Sequence, residues 1–331
     1  MSSNAESRID ALMRAYQGAV PGAGVAVIRD GVPIVRCAYG LADVESQVAA
    51  TTATNYRLAS LTKQFTAAAI LLLAEEGRLS IDDPVRRWLP ALPATADGIV
   101  IRHLLTHTSG LLDYEDLIPD GTTSPLCDAD VLGLLEAEKR GYFPPGTAYR
   151  YSNSGYSLLA LILARASGED FASLLRERIF QPLGMHDTVA FEAGISTVMH
   201  RAFGYSATRQ SWTRTDQSLT SATLGDGGIY SSIDDLAKWD AALGAGRLLR
   251  PASLRLAFQA AIQTDDPAVQ YGFGWRISGD TRWHSGETIG FRNVIVRYLE
   301  RRFTVIVLTN RNDPAPYPTA RAIAEIFLPA S

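Results

Sequence analysis

Lysine is nearly absent from this chain. Of the 31 basic residues only three are lysines, Lys63, Lys139 and Lys238, and the remainder are arginines. A guanidinium stays protonated in proteins whereas an amine can lose its proton, so a retained lysine can mark a place where that loss is used. Cysteine is equally scarce. Cys37 and Cys127 are isolated, match no metal-ligand spacing, and read as reduced structural thiols. Nor does one sign of charge dominate. The net charge is −4 with acids and bases interspersed, and no basic stripe able to neutralise phosphates is present, which argues against nucleic acid as a partner.

Long hydrophobic runs are missing as well. The most apolar stretch, Phe65 to Ala74, falls far short of the roughly 20 residues that a membrane span requires, so no membrane partner is expected. The opening segment MSSNAESRIDALMRAYQ carries Glu6 and Asp10 and lacks a positive region followed by an apolar one; it does not read as a signal peptide, and a cytoplasmic location is expected. Several catalytic signatures are absent too. There is no G-x-S-x-G elbow, and the glycines Gly225, Gly227 and Gly228 belong to no GxxxxGK[ST] loop. His103 and His107 have i, i+4 spacing but no HExxH glutamate or third ligand nearby, so neither a metal nor another cofactor is expected, and HLLTHTSGL reads as structural.

What is present is an ordinary globular composition. The chain has 331 residues, 47% of them hydrophobic, enough for a large core. Near the start, Val25 to Ile28 and Pro33 to Tyr39 are β-rich runs separated by Arg29-Asp30-Gly31, a hairpin signal. Near the end, YGFGWRIS, FRNVIVRYL and RFTVIVLTN read as antiparallel strands, followed by a closing helix from Thr319 to Leu328. The middle reads as mostly helical, with helices over Leu61 to Glu76, Ser154 to Ala166 and Asp170 to Phe180, broken at Pro144-Pro145-Gly146 and Pro182. The expected fold is therefore α+β: an antiparallel sheet from both chain ends flanked by helices, with a mostly helical inserted subdomain. In residue terms, 1–62 with 216–331 form the sheet domain, 63–215 the helical subdomain, and the site lies at their junction.

The chemistry centres on Ser60-Leu61-Thr62-Lys63, where a loop turns into a helix. Residues three apart share a helix face, so Lys63 can reach the Ser60 hydroxyl, and the helix start offers unpaired N–H groups to a developing oxyanion. Ser60 as a simple N-cap and Lys63 as a solvated helix residue is the plainer alternative. With 24 serines and three lysines, roughly 0.2 chance Ser-x-x-Lys matches are expected, so the tetrapeptide is informative without being decisive. Two further segments accompany it. Tyr151-Ser152-Asn153 lies on a loop immediately before a helix, and His284-Ser285-Gly286 lies at or beside a strand, where Gly286 permits close approach of a substrate backbone.

With these three motifs in this order, the chain resembles the serine β-lactamase-related family that includes class C β-lactamases, DD-peptidases, D-aminopeptidases and family VIII esterases. HLLTHTSGLLDY, PPGTAYRYSNSGY, FQPLGMHDT and GDGGIYSSIDDLAKW extend the likeness over nearly the whole chain. The resemblance implies a β-lactamase/transpeptidase-like fold, Ser60 as acylated nucleophile, Lys63 and Tyr151 sharing its proton transfers, and Asn153 orienting the substrate's acyl amide or the Lys63 ammonium. It also implies an oxyanion hole built from the backbone N–H of Ser60 and Glu287. The chain departs from the Lys-Thr-Gly of β-lactamases at His284-Ser285-Gly286. An imidazole, mostly neutral near pH 7, replaces a permanent ammonium, so carboxylate recognition should weaken. Arg292 is a candidate for the missing cation, with a solvent-facing strand arginine as the alternative. The resulting expectation is a serine hydrolase acting through an acyl-enzyme on small esters or on amides and peptides containing D-amino acids. A weak β-lactamase or penicillin-binding DD-peptidase is the enzymatic alternative, and a catalytically silent binding or assembly protein the other.

Overall fold

The type I′ turn at Asp30 and Gly31, with φ of 54° and 76°, folds the first two strands onto each other, β1 (Ala23–Arg29) and β2 (Val32–Tyr39). In this computed structural model, which describes residues 3–328, that hairpin ends an eight-stranded antiparallel sheet. The other six strands come from the far end of the chain: β3 (Ile262–Gln263), β4 (Gln270–Tyr271), β5 (Arg276–Ser278), β6 (Thr281–Thr288), β7 (Phe291–Tyr298) and β8 (Phe303–Thr309). Their order is β3-β4-β5-β6-β7-β8-β1-β2. β1 and β8 join the two ends in register from Ala23↔Thr309 to Arg29↔Phe303.

Both faces of this sheet are covered, which is why β1 and β8 read as nearly unbroken apolar runs. Ala26 and Ile28 of β1 and Ile306 and Leu308 of β8 enter the larger core. The alternate residues Val25, Val27, Val305 and Val307 enter a smaller one, closed by α1 (Ser3–Leu12) and the C-terminal α8 (Tyr317–Phe327) through Ile9, Ala320 and Ile323.

The larger core joins the sheet to the helical layer. Among the helices of that layer are α2 (Thr62–Glu75), α3 (Ile101–Leu105), α4 (Asp128–Ala137), α5 (Asn153–Ser167), α6 (Ile233–Ala245) and α7 (Pro251–Phe258). α2 is buried along almost its whole length, with Phe65 stacked 4.3 Å from the Trp239 ring of α6 and 5.7 Å from that of Phe180. Such burial contributes about 1.5–3 kcal/mol for each large apolar side chain, so the helix carrying Lys63 is fixed by its neighbours rather than by its own propensity. Among the described residues, no helix is long and apolar enough to cross a membrane.

Candidate active site

Ser60 sits in a single 3₁₀ turn, Ala59–Leu61, that runs straight into α2. The residue before it, Ala59, has φ of 50°, a left-handed conformation that costs an alanine on the order of 1 kcal/mol and turns the chain sharply at the serine. A small three-stranded sheet braces this turn. Its central strand Ile229–Ser231 pairs with Tyr56–Arg57 on one side and Val189–Ala190 on the other, and Leu58 N–H donates to Ile229 O at 2.8 Å. Asn293 of β7 ties in the main sheet, donating from Nδ2 to Arg57 O at 2.7 Å.

Lys63 is 0% exposed, and its amine sits among three acceptors: Ser60 Oγ at 2.9 Å, Asn153 Oδ1 at 2.7 Å and the Asp226 carbonyl at 2.9 Å. A buried unpaired ammonium costs several kcal/mol, so this ring of acceptors is what makes the position tenable. The three partners are not equivalent. Asn153 Oδ1 and the Asp226 carbonyl can only accept, whereas the Ser60 hydroxyl can accept from an ammonium or donate to a neutral amine. The same geometry therefore accommodates a proton on either side of the Ser60–Lys63 hydrogen bond. Among the described residues, Lys63 is the one side chain hydrogen-bonded to the Ser60 hydroxyl.

Tyr151 adjoins this pair through its ring, whose centroid lies 5.1 Å from Lys63 Nζ and 4.2 Å from the His107 centroid, at 34° to that imidazole. Asn153 begins α5. Its Nδ2 donates to Glu115 Oε1 at 2.7 Å and its backbone N–H to Asp113 Oδ2 at 3.0 Å, which directs the amide oxygen at Lys63.

His284 and Gly286 share one face of β6, and both are buried. His284 Nδ1 lies 2.6 Å from the Ser285 carbonyl, which can only accept, so the ring proton is on Nδ1 and Nε2 receives the Tyr271 hydroxyl at 3.0 Å. Burial, with Arg276 and Lys63 adding positive charge, holds this imidazole well below its ordinary pKa of 6.5. It is neutral. Gly286 differs from its sequence reading in what it lets approach: a Cβ there would overlap the Leu58 carbonyl oxygen, so the glycine admits the nucleophile's own turn. The pairing of β6 with β5 ends at Trp283, so His284 to Thr288 keep one backbone edge free of β5 beside that turn. Glu287 lies on this stretch and is exposed.

Arg292 stands opposite Glu287 across the β6–β7 pairing. Its Nη1 donates to the Thr288 and Phe291 carbonyls at 2.7 and 2.8 Å, and its Nε lies 3.7 Å from Glu287 Oε2. The cation beside the tyrosines is Arg276 of β5, with Cζ 5.5 Å from the Tyr151 ring centroid. It has no carboxylate partner among the described residues, and its buried Nε has no hydrogen-bond acceptor. Within the sequence, YGFGWRIS gives it no mark beyond a strand arginine.

Three more residues were invisible to motif reading. Asp226 supplies its carbonyl to Lys63, and its own buried carboxyl is pushed up by desolvation while Lys63 pulls it down. Glu115 orients Asn153. His107, at φ of 57°, accepts the Ser152 N–H on Nδ1 at 3.3 Å while its face backs Tyr151. Burial and the nearby Lys63 keep it neutral too. HLLTHTSG, read as structural from sequence, and GDGG, set aside there as a phosphate loop, are thus walls of the site.

A serine next to a strained alanine at a helix start, a buried amine on its hydroxyl, a tyrosine ring beside that amine and a strand edge free of β5 make up the parts needed for acyl transfer. The family model described as Beta-lactamase matches residues 6–328. The chain belongs to this family. It is 35% identical to "Penicillin-binding protein 4*" of Bacillus subtilis (strain 168), over 85% of this chain and 66% of that protein. It is 30% identical to the "D-aminopeptidase" of Gluconobacter oxydans (strain 621H), over 98% of this chain and 62% of that one. This β-lactamase-family chain therefore spans less than two thirds of the length of both curated relatives. Among solved structures, the D-amino acid amidase from Ochrobactrum anthropi SV3, complexed with D-phenylalanine, superposes with a TM-score of 0.84 at 25% identity, covering 98% of this chain and 99% of that one. The β-lactamase/transpeptidase-like α+β fold is that of its relatives, and the family is one of serine hydrolases.

Proposed function

We propose that this chain is a serine hydrolase that forms an acyl-enzyme on Ser60, and that its preferred substrates are small amides of D-amino acids carrying a free α-amino group. The observation that carries the reading is the set of three acceptors around Lys63 Nζ. Ser60 Oγ attacks the substrate carbonyl carbon, its proton passes to Lys63, and the oxyanion is met by the backbone N–H groups of Ser60 and Glu287. The scissile C–N bond then breaks as the amine leaves with a proton returned through Lys63 or Tyr151. Water attacks the acyl-enzyme ester, frees the acid and restores the Ser60 hydroxyl.

The substrate class rests on charge. Glu115 ends an exposed carboxylate beside the Asn153 amide, where it can pair with an α-ammonium, and the relatives named above include a D-aminopeptidase and a D-amino acid amidase. Small esters suit the same nucleophile. One observation favours a second reading: Arg276 stands beside Tyr151 without an acid partner among the described residues and can accept a substrate carboxylate, as in a peptide C-terminus or a β-lactam.

A substrate panel tests this. D-alanine p-nitroanilide should turn over faster than its L form. N-acetylation should cost roughly 10- to 100-fold in kcat/KM, as for one lost charge-assisted hydrogen bond of about 1.5–3 kcal/mol. Glu115→Gln should erase that difference. Equal turnover of free and acetylated amines contradicts the amino-group reading, and preference for a chromogenic cephalosporin, abolished in Arg276→Leu, favours the carboxylate one.

A further inference from the structure

A cavity of about 630 Å³ lies outside the catalytic centre. It is bounded by the β1–β2 turn, the C-terminal end of α6, α7 and the far end of β7. Arg297 on its wall is four residues along β7 from Asn293, the residue paired with Gly286, which places it roughly 13 Å from the nucleophile's strand contact. The volume is within the usual range for small-molecule sites, about 300–1,000 Å³.

We infer that this cavity is a binding site for a small organic carboxylate with an apolar body. Arg297 is the anchor. Its side chain is 9% exposed and held by Asp240 through Nη1 alone, at 3.0 Å to Oδ1 and 3.3 Å to the backbone carbonyl. Asp240 Oδ1 also receives the Thr304 hydroxyl at 2.7 Å, so that carboxylate is already shared. The other edge of the guanidinium is unused: Nε is buried without an acceptor, and Nη2 has no hydrogen bond among the described residues. Nε and Nη2 together form the side-on fork that fits a carboxylate. Arg102 uses it in this chain to hold Asp82, at 2.9 and 3.1 Å.

The rest of the lining agrees with a monoanion. Arg247 and Arg302 add two cations at the wall, and Asp30, on Arg302 at 2.9 Å, cancels one of them. With Arg297 set against Asp240, one positive charge is left over. Phe258, whose ring lies 5.8 Å from Arg297 Cζ, and Leu254 give an apolar surface for the ligand's body. The site touches none of the residues assigned to acyl transfer, so it stands or falls apart from the hydrolase reading.

Gly244 supplies the means of testing it. A Cβ built there meets only Arg297 Nη2, at 3.9 Å, so the helical position accepts a side chain and Gly244→Leu extends one toward Arg297 and the cavity. Titration calorimetry on the whole chain with benzoate, benzyl alcohol and inorganic phosphate is the experiment. Benzoate should bind with a Kd of about 1 mM, and Gly244→Leu should weaken it at least tenfold, whereas Gly244→Ala should bind as the unsubstituted chain does and both variants should keep their acylation rate at Ser60. No benzoate binding, binding indifferent to Gly244→Leu, or benzyl alcohol binding as well as benzoate overturns the inference. Phosphate binding as tightly as benzoate overturns the apolar part and leaves a plain anion site.

Discussion

The proposed mechanism places two demands on Lys63: full burial and the ability to take up and return a proton. The acceptors Asn153 Oδ1 and Asp226 O satisfy the first without fixing the second, because the third partner is a hydroxyl that works in either direction. Lys63→Arg separates the demands. A guanidinium keeps charge and donors but cannot serve as a base, so the Ser60 acylation rate should fall by about 10²–10⁴-fold. Stopped-flow acylation, with a melting curve to confirm folding, makes the check. A variant acylating at the original rate places the base elsewhere. Ser60, Lys63, Tyr151 and Asn153 were legible in the sequence because their spacing is local or their motif is ordered. His107, Glu115, Asp226 and Arg276 were not. Each makes its contact between segments distant in sequence; His107 and Asp226 lie in family-like segments that give them no role, and Glu115 and Arg276 lie in no motif at all.

Among the elements, β6 and the Ala59–Leu61 turn depend on each other. Gly286 is needed because the strand meets the Leu58 carbonyl, and Gly274, at φ of 75°, is needed because a Cβ there would lie 2.7 Å from the Lys63 carbonyl. Gly286→Ala should force strand and turn apart. Overpacking of this kind costs about 1–3 kcal/mol, and a displacement near 1 Å costs on the order of 10²-fold in rate, so acylation should fall much more than the melting temperature does. Unchanged acylation in this variant removes the strand from the site. At this scale the sequence reading succeeds where elements are long. The terminal sheet, the first hairpin and the helices later found at Thr62–Glu75 and Asn153–Ser167 all followed from periodicity and turn residues. Strands of two residues, Ile262–Gln263 and Gln270–Tyr271, have no period to detect, and the helix expected over Asp170 to Phe180 is interrupted by a π-turn at Arg176–Phe180. Sheet order lay beyond reach as well, since it depends on pairings such as β1 with β8 that span nearly the whole chain.

For the whole molecule, buried ionisable groups set opposing slopes of stability with pH. His107 and His284 are held neutral by burial, below their ordinary 6.5, so the unfolded chain binds more protons and stability falls as pH drops below that value. Asp128, on the backbone N–H groups of Leu224 and Gly225 behind the Lys63 loop, runs the other way. Burial first, and the neighbouring Asp226 second, push its carboxyl from 3.8 to about 7. The folded chain then holds a proton that the unfolded chain releases, and stability is lost as pH rises from about 4 to about 7. Asp128→Asn should remove this falling component, leaving the histidines unopposed, so that the melting temperature rises more steeply with pH across that window. A variant whose profile keeps the original slope contradicts the burial of a protonated Asp128.

All of these features serve one claim, that Ser60 is acylated. Intact-mass and peptide mass spectrometry after treatment with a fluorophosphonate or a chromogenic cephalosporin tests it most directly. A single covalent adduct on Ser60, lost in Ser60→Ala and greatly slowed in Lys63→Arg, is the predicted result. An adduct on another residue, or none together with no turnover of p-nitrophenyl esters or D-alanyl amides, would contradict it.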